Sequence, residues 1–298
     1  MSKRFQLSCE STVDLPYSYI NGRGISVLFY TYSIGDQVYE DDMCRDPKAL
    51  DQFYQFISEG NLPSTSQINT FRYTEYFREL LAKGDVLHLA FGSGMTPSVN
   101  NAKEAAAQVQ KEFPDRKIIV LDSYASCGGY GLLVDDAADR WEAGQSIDEV
   151  AAWAEANCKK IYHQFYATDL KHFRRGGRVS GPTAAIGTVL GICPTMCLDD
   201  MGKIYAYGKA RGKKAAVKEL MRVLEENVRN GKDYDGKCFI NHSHCPEDAQ
   251  VVLEQFKAFM PNATFRVEEI GTIIASHTGQ GTVAVFFWGD EDRPGRKN

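Results

Sequence analysis

Apolar runs of strand length recur along the 298-residue chain, with segments of helical spacing between them. Residues 5–9, 25–32, 86–91, 117–122, 164–167, 237–241 and 282–288 read as strands. Between them, Val99, Ala102, Ala106 and Val109 share one helical face, and Ala216, Leu220, Val223 and Leu224 share another. The alternation predicts an α/β fold with a mainly parallel sheet in a first domain, residues 1–160. After Pro194, the pattern at 195–198, a turn at 199–202 and a second run at 203–207 predict a hairpin. A mixed sheet in a second domain, residues 161–288, accommodates it, with the crossing between domains placed near 141–160. Residues 289–298 are polar and read as a loose tail.

One stretch breaks the pattern. Residues 179–198 carry no charge over the length of a membrane span. They include Pro182, Pro194, Gly181, Gly187 and Gly191, and these breakers argue for a buried core segment instead. If 183–192 is helical, Ala184, Gly187, Thr188 and Gly191 fall on one face at i, i+3, i+4 and i+7. Small residues there either pack closely on a neighbour or leave room beside the helix.

Composition adds bounds. At 43% hydrophobic and 24% charged the chain is ordinary globular protein, long enough for a sizeable core. A net charge of −5 argues against a broad nucleic-acid-binding surface. Eight cysteines are too sparse for a disulfide scaffold, and the N-terminus has no apolar run of signal-peptide length. The expected location is therefore cytoplasmic, with reduced thiols.

Familiar catalytic signatures are near-misses. Gly208 to Lys214 resembles a phosphate loop but is one spacer short, with Lys214 where Ser or Thr is required. Gly92-Ser93-Gly94 is not a nucleophile elbow, and Gly128, Gly129 and Gly131 lack dinucleotide-fingerprint spacing. His242, His244 and Cys245, or Cys193 with Cys197, offer metal donors without a matching second pair, so no metal or cofactor is expected. Ser123 and Ser126 have no base nearby in sequence, although His277 could supply one in the fold. A Ser- or Cys-dependent acyl hydrolase and a small-anion-binding regulatory module therefore stand as alternatives.

What remains is a series of hydroxyl-rich turns, most of them at strand ends: Ser11-Thr12, Ser64 to Gln67, Ser93 with Thr96 and Ser98, Ser123 with Ser126, and His277 to Gly281. In open α/β sheets ligands bind beyond the carboxyl ends of strands, where hydroxyls and amides suit an anionic group. Each Ser or Thr taken singly is better explained as a helix cap, but several such turns together favour a site.

These residues also carry a resemblance. Glu10-Ser-Thr-Val-Asp14-Leu-Pro16 resembles the opening Asp-Ser-Thr-x-Asp-Leu-Pro of the DegV family, and Thr65-Ser66-Gln67 its Thr-Ser-Gln turn. Ser93 to Ala102, Asp122-Ser123, Asp169-Leu170, Arg175 to Ser180, Pro194, Gly202-Lys203, Lys209 with Arg211, and His277 to Gly281 follow in order. The resemblance implies a two-domain α/β protein that binds one long-chain fatty acid. It also implies a role like the acyl-carrying subunit of bacterial fatty acid kinase, in which a separate ATP-dependent subunit phosphorylates the bound carboxylate. By that resemblance Thr65 and Thr96 would hydrogen-bond the carboxylate with Ser98 and His277. Ser66, Ser93, Ser123 and Arg178 would lie near the head group. Ile186, Gly187, Val189, Leu190 and Ile192, in the uncharged stretch, become candidates for the acyl-chain wall. The chain departs from the pattern at Glu10 (Asp), Pro97 (Gly), Ser98 (Thr) and Gln280 (Pro). Pro97 removes an amide donor beside the expected head group.

Two basic clusters, Arg174, Arg175 and Arg178, and Lys209, Arg211, Lys213 and Lys214, read as solvated faces. Alternatively they dock an acidic kinase surface or touch anionic lipid headgroups transiently during ligand exchange.

Overall fold

The computed structural model describes residues 5–46, 48–179 and 191–295. Among these the strands are β1 (Phe5–Glu10), β2 (Ser26–Leu28), β3 (Thr31–Ile34), β4 (Gln37–Glu40), β5 (Ser64–Ser66), β6 (Asp85–Ala90) and β7 (Ile118–Asp122), then β8 (Ile161–Ala167), β9 (Ile192–Leu198), β10 (Ile204–Arg211), β11 (Lys237–His242), β12 (Thr264–Glu269) and β13 (Thr282–Trp288). The helices are α1 (Tyr17–Gly22), α2 (Ala49–Ser58), α3 (Thr70–Leu81), α4 (Ser98–Val109), α5 (Cys127–Glu142), α6 (Ile147–Asn157), α7 (Lys171–Arg175), α8 (Lys213–Asn227), α9 (Pro246–Phe259) and α10 (Thr272–Thr278).

The fold is α/β. β2-β1-β6-β7 form a parallel sheet, and β10-β9-β8-β13-β11-β12 form a mixed one. In the parallel sheet β6 is followed by α4 and β7 by α5, and α4 buries an apolar stripe formed by Ala102, Ala106 and Val109. In the mixed sheet β13 pairs antiparallel with β8 along its whole length, from Thr282 opposite Ala167 to Trp288 opposite Ile161. The hairpin at 195–207 is the antiparallel pair β9–β10, extended at both ends. One contiguous buried cluster joins the two sheets.

Several sequence expectations change. The single strand expected at 25–32 is two. β2 belongs to the parallel sheet, while β3 leaves it for a three-stranded antiparallel sheet, β4-β3-β5. The break falls at Tyr30, whose N–H is taken by the Ser11 hydroxyl at 3.1 Å instead of a neighbouring strand. Residue 192 is a strand residue: Gly191, at φ 77°, turns the chain, and Ile192 pairs with Arg211. Most of the uncharged stretch, with Ile186, Gly187, Val189 and Leu190, lies outside the described residues. Among the described residues no helix is long and apolar enough to cross a membrane.

The loose tail is corrected at Arg293, which is 2% exposed. Its guanidinium donates to the carbonyls of Ile161 at 2.6 Å, Tyr124 at 2.7 Å and Asp199 at 3.3 Å. Its N–H donates to Lys159 O at 2.9 Å. A planar fork of donors can serve several carbonyls at once, which a polar sequence pattern does not reveal. Burial lowers its pKa to about 10.

Candidate functional site

A cavity of about 370 Å³ lies between the two sheets. On one side are segments that follow the parallel strands: Tyr30 after β2, Phe91 and Met95 to Pro97 after β6, and Ser126 and Cys127 after β7. On the other side the mixed sheet presents alternate residues, His163 and Phe165 from β8 and Thr282, Ala284 and Phe286 from β13. Leu198 and Ile204 of the hairpin, Ile273, Ile274 and His277 of α10, and Phe173 of α7 contribute further lining. The walls are mostly aliphatic and aromatic, and polar groups are few, as in sites that hold small organic ligands.

Two glycines near the start of α5 allow this closeness. A Cβ on Gly129 would stand 2.2 Å from His163 Nε2, and one on Gly128 would stand 2.9 Å from the Phe286 ring. The glycine run that failed as a nucleotide fingerprint is thus a packing surface for helix on sheet.

The polar end is built by three segments. Thr65, in β5, has its hydroxyl 2.8 Å from His277 Nε2, and Ser66 and Arg178 line the same cavity. His277 is held from behind: a Cβ on Gly176 would be 2.3 Å from its Nδ1. Arg175 donates to Pro63 O at 2.6 Å, fixing the approach to β5. Burial, and then the nearby Arg178 and Arg175 guanidiniums, push His277 down to about 4, so it is neutral at pH 7. Burial also lowers Arg178 below the ordinary arginine value. Among the described residues Arg178 bonds only the Gly176 carbonyl and has no carboxylate partner. A half-buried cation without a counter-ion among the described residues is costly, so this end of the cavity favours an anion.

Thr96 faces the cavity from the loop before α4. Ser98 does not line it; its N–H donates to Thr96 Oγ1 at 3.4 Å, and its hydroxyl accepts from Ile68 N–H at 3.2 Å. Ser98 thus supports Thr96 instead of facing a ligand. Pro97 lines the cavity at the helix start, where its φ of −76° and missing N–H cost α4 no hydrogen bond. Ser93 is exposed and its N–H donates to Asp122, so its expected place near the head group is corrected. Ser123 is buried, with its hydroxyl in contact with the main chain of Ala125, and does not line the cavity. Ile192 also lies outside the lining, because it begins the far end of the hairpin.

Glu10, where the family pattern has Asp, is fully buried behind the cavity. It accepts from Phe91 N–H at 2.9 Å and from the Tyr30 hydroxyl at 3.4 Å, and also from Tyr73, and lies 3.2 Å from His88 Nε2. This network fixes Tyr30 and Phe91, both of which line the cavity.

Sequence reading missed the aromatic and aliphatic lining. The period-two pattern of 282–288 identified a strand without showing that Thr282, Ala284 and Phe286 face a cavity. The basic clusters also divide: Arg178 lines the cavity and Lys213 pairs with Asp248 at 2.5 Å.

A parallel and a mixed sheet meeting over an apolar cavity with one basic, hydroxylated end define an α/β binding fold. The chain matches the DegV family model, described as an uncharacterised protein family, over residues 4–290. A DegV domain-containing protein of Clostridium perfringens is 38% identical over 295 residues, covering 98% of this chain and 100% of the relative. The chain belongs to the DegV family. Among solved structures, a DegV family protein from Thermus thermophilus described for its fatty acid binding superposes with a TM-score of 0.84 at 29% identity, covering 96% of this chain and 99% of that one. A fatty acid binding DegV family protein from Streptococcus agalactiae gives 0.80 at 25% identity, covering 96% and 99%.

Proposed function

We propose that this protein binds one long-chain fatty acid in the cavity, with the carboxylate between Thr65, Thr96, His277 and Arg178. The observation that carries the reading is Arg178, without an acidic partner among the described residues, at the hydroxylated end of an otherwise apolar cavity. The fatty acid binding described for the Thermus and Streptococcus relatives supports it. Burying about fourteen methylenes at ~0.8 kcal/mol each contributes ~11 kcal/mol before ordering costs. Each hydrogen bond to the carboxylate adds about 1.5–3 kcal/mol. The tail therefore dominates affinity, and the polar end decides where the carboxylate points.

The same reading makes the protein a cytoplasmic carrier that presents its carboxylate to a separate ATP-dependent kinase subunit for acyl phosphate formation. Division near residue 160 into two α/β units belongs to it, because strands β1–β7 precede that point and β8–β13 follow it. A thiol-dependent hydrolase would need an activated cysteine. Cys127, the cysteine in the cavity wall, is pushed the other way by burial and by Asp14.

Mass spectrometry of the protein as purified from its host tests the binding reading. One co-purifying fatty acid per chain is expected, and an empty cavity that takes up no added fatty acid rejects it. Carboxylate phosphorylation that requires ATP and a separate kinase subunit tests presentation. Hydrolysis of an acyl ester by the protein alone rejects the carrier role.

A further inference from the structure

A second, much smaller cavity of about 10 Å³, room for roughly one water, lies among Ser11, Asp14, Asp41, Glu268, Glu269 and Gly271. Three separate parts of the chain meet there: the segment after β1, the segment after β4, and the end of β12 leading into α10. Asp14 is 6% exposed and Asp41 is 1% exposed. Neither oxygen of Asp14 has a hydrogen-bond partner among the described residues, and Asp41 has one oxygen without a partner. The other Asp41 oxygen accepts from the Thr272 hydroxyl at 2.8 Å. The Cys127 thiol and the Gly271 amide lie near Asp14 without hydrogen-bond geometry to it.

Local cations are committed elsewhere. Arg45 pairs with Glu40 at 3.1 Å and Asp42 at 3.9 Å, and Arg266 pairs with Glu268 at 2.9 Å. Among the described residues Asp14 and Asp41, with three oxygens that have no hydrogen-bond partner, thus share a cavity with two acids that are already partnered, Glu268 by Arg266 and Glu269 at 3.4 Å from His242 Nδ1. A buried carboxylate that lacks a donor requires a counter-ion to stay ionised.

We propose that Asp14 and Asp41, with nearby hydroxyl and main-chain oxygens, bind one hard divalent cation that ties the segments after β1 and β4 to the start of α10. An oxygen donor set selects against soft metals. Among the described residues no three His, Cys, Asp or Glu side chains converge to hold a metal ion, so the site would rest on two carboxylates completed by hydroxyl and main-chain oxygens. Calcium tolerates an irregular set of oxygens better than magnesium, which demands a regular octahedron. The site is independent of whatever fills the larger cavity.

Calcium itself is the probe. Chelator-treated full-length protein in equilibrium dialysis at pH 7.5 is expected to bind one Ca²⁺ per chain with a dissociation constant of about 1 mM or below. Asp14→Asn and Asp41→Asn should each weaken binding at least about tenfold, while Asp46→Asn, an exposed acid, leaves it unchanged. Circular dichroism establishes whether the variants fold. Saturating Ca²⁺ should also raise the wild-type melting temperature by about 3 °C or more, reversibly with chelator, a measurement that needs no variant. No saturable binding by the wild type, an unmoved melting temperature, or equal binding by folded Asn variants would overturn the assignment.

Discussion

The short helix α10 separates two regions that bury charge of opposite sign. At its start Thr272 touches Asp41, beside carboxylate oxygens that have no donor among the described residues. In its last turn His277 stands by Thr65, beside an arginine that has no acid among the described residues. Size and walls distinguish them: about 370 Å³ bounded largely by aromatic and aliphatic side chains, against about 10 Å³ where Asp14, Asp41, Glu268 and Glu269 share the lining with Leu15, Pro16, Met43 and Cys44. The same electrostatic demand therefore selects different occupants. A large apolar space with a positive end suits an amphiphile, and a small acidic one suits an ion. An orphan charge gives the sign of the missing partner, and the walls give its class.

The contrast can be broken most severely by filling the large cavity. Ala284→Trp, on the sheet face that lines it, should abolish fatty acid retention by the purified protein at an overpacking cost of about 1–3 kcal/mol. Undiminished retention would mean that the ligand lies elsewhere. Next in size, Thr65→Val combined with Thr96→Ala should weaken fatty acid binding by about 3–6 kcal/mol, read by displacement of a fluorescent fatty acid. Unchanged affinity would remove the hydroxyls from the site.

A pH measurement sharpens the positive end. Because the folded state holds His277 at about 4, below its ordinary value, the unfolded chain binds the extra proton first as pH falls. His277 therefore contributes stability that is fully present above about pH 6.5 and lost progressively towards pH 4, on the order of 2–3 kcal/mol. Urea unfolding across that range should show the loss, His277→Gln should flatten it, and a bound carboxylate should reduce it by favouring the charged imidazole. The smallest effect is expected from Arg178→Gln. The side chain is only half-buried, so affinity should fall by about 1–2 kcal/mol, with the carboxylate less ordered in a crystal of the complex.

Periodicity made the mixed-sheet strands β8, β9, β11 and β13 legible, because their apolar runs are long and bounded by turns. It did not reveal β4, which is polar and largely exposed, or β5, which is only three residues long. Both strands exist through pairing with β3, a tertiary fact with no local signature. At the candidate site, Thr65, Thr96, His277 and Arg178 came from ordered motifs in the family resemblance. Spacing could not bring Thr65 to His277, which lies 212 positions away. Ser98 carries the same motif signal as Thr96, but only backbone geometry tells which hydroxyl faces inward. The acidic cavity left no trace in the sequence, since Asp14, Asp41 and Glu269 belong to unrelated segments that the fold draws together.

Arg293 has a consequence for the order in which this protein is made. It joins the segment after β7, the start of β8 and the turn of the β9–β10 hairpin, whose Leu198 and Ile204 line the large cavity. On the ribosome it emerges after every strand it fastens. Until it does, the main-chain carbonyls of Tyr124, Ile161 and Asp199 remain without that donor, and the hairpin wall lacks its tie to the parallel-sheet side. A nascent chain halted before residue 293 can have every strand paired and still lack the fastening that holds the cavity wall in place.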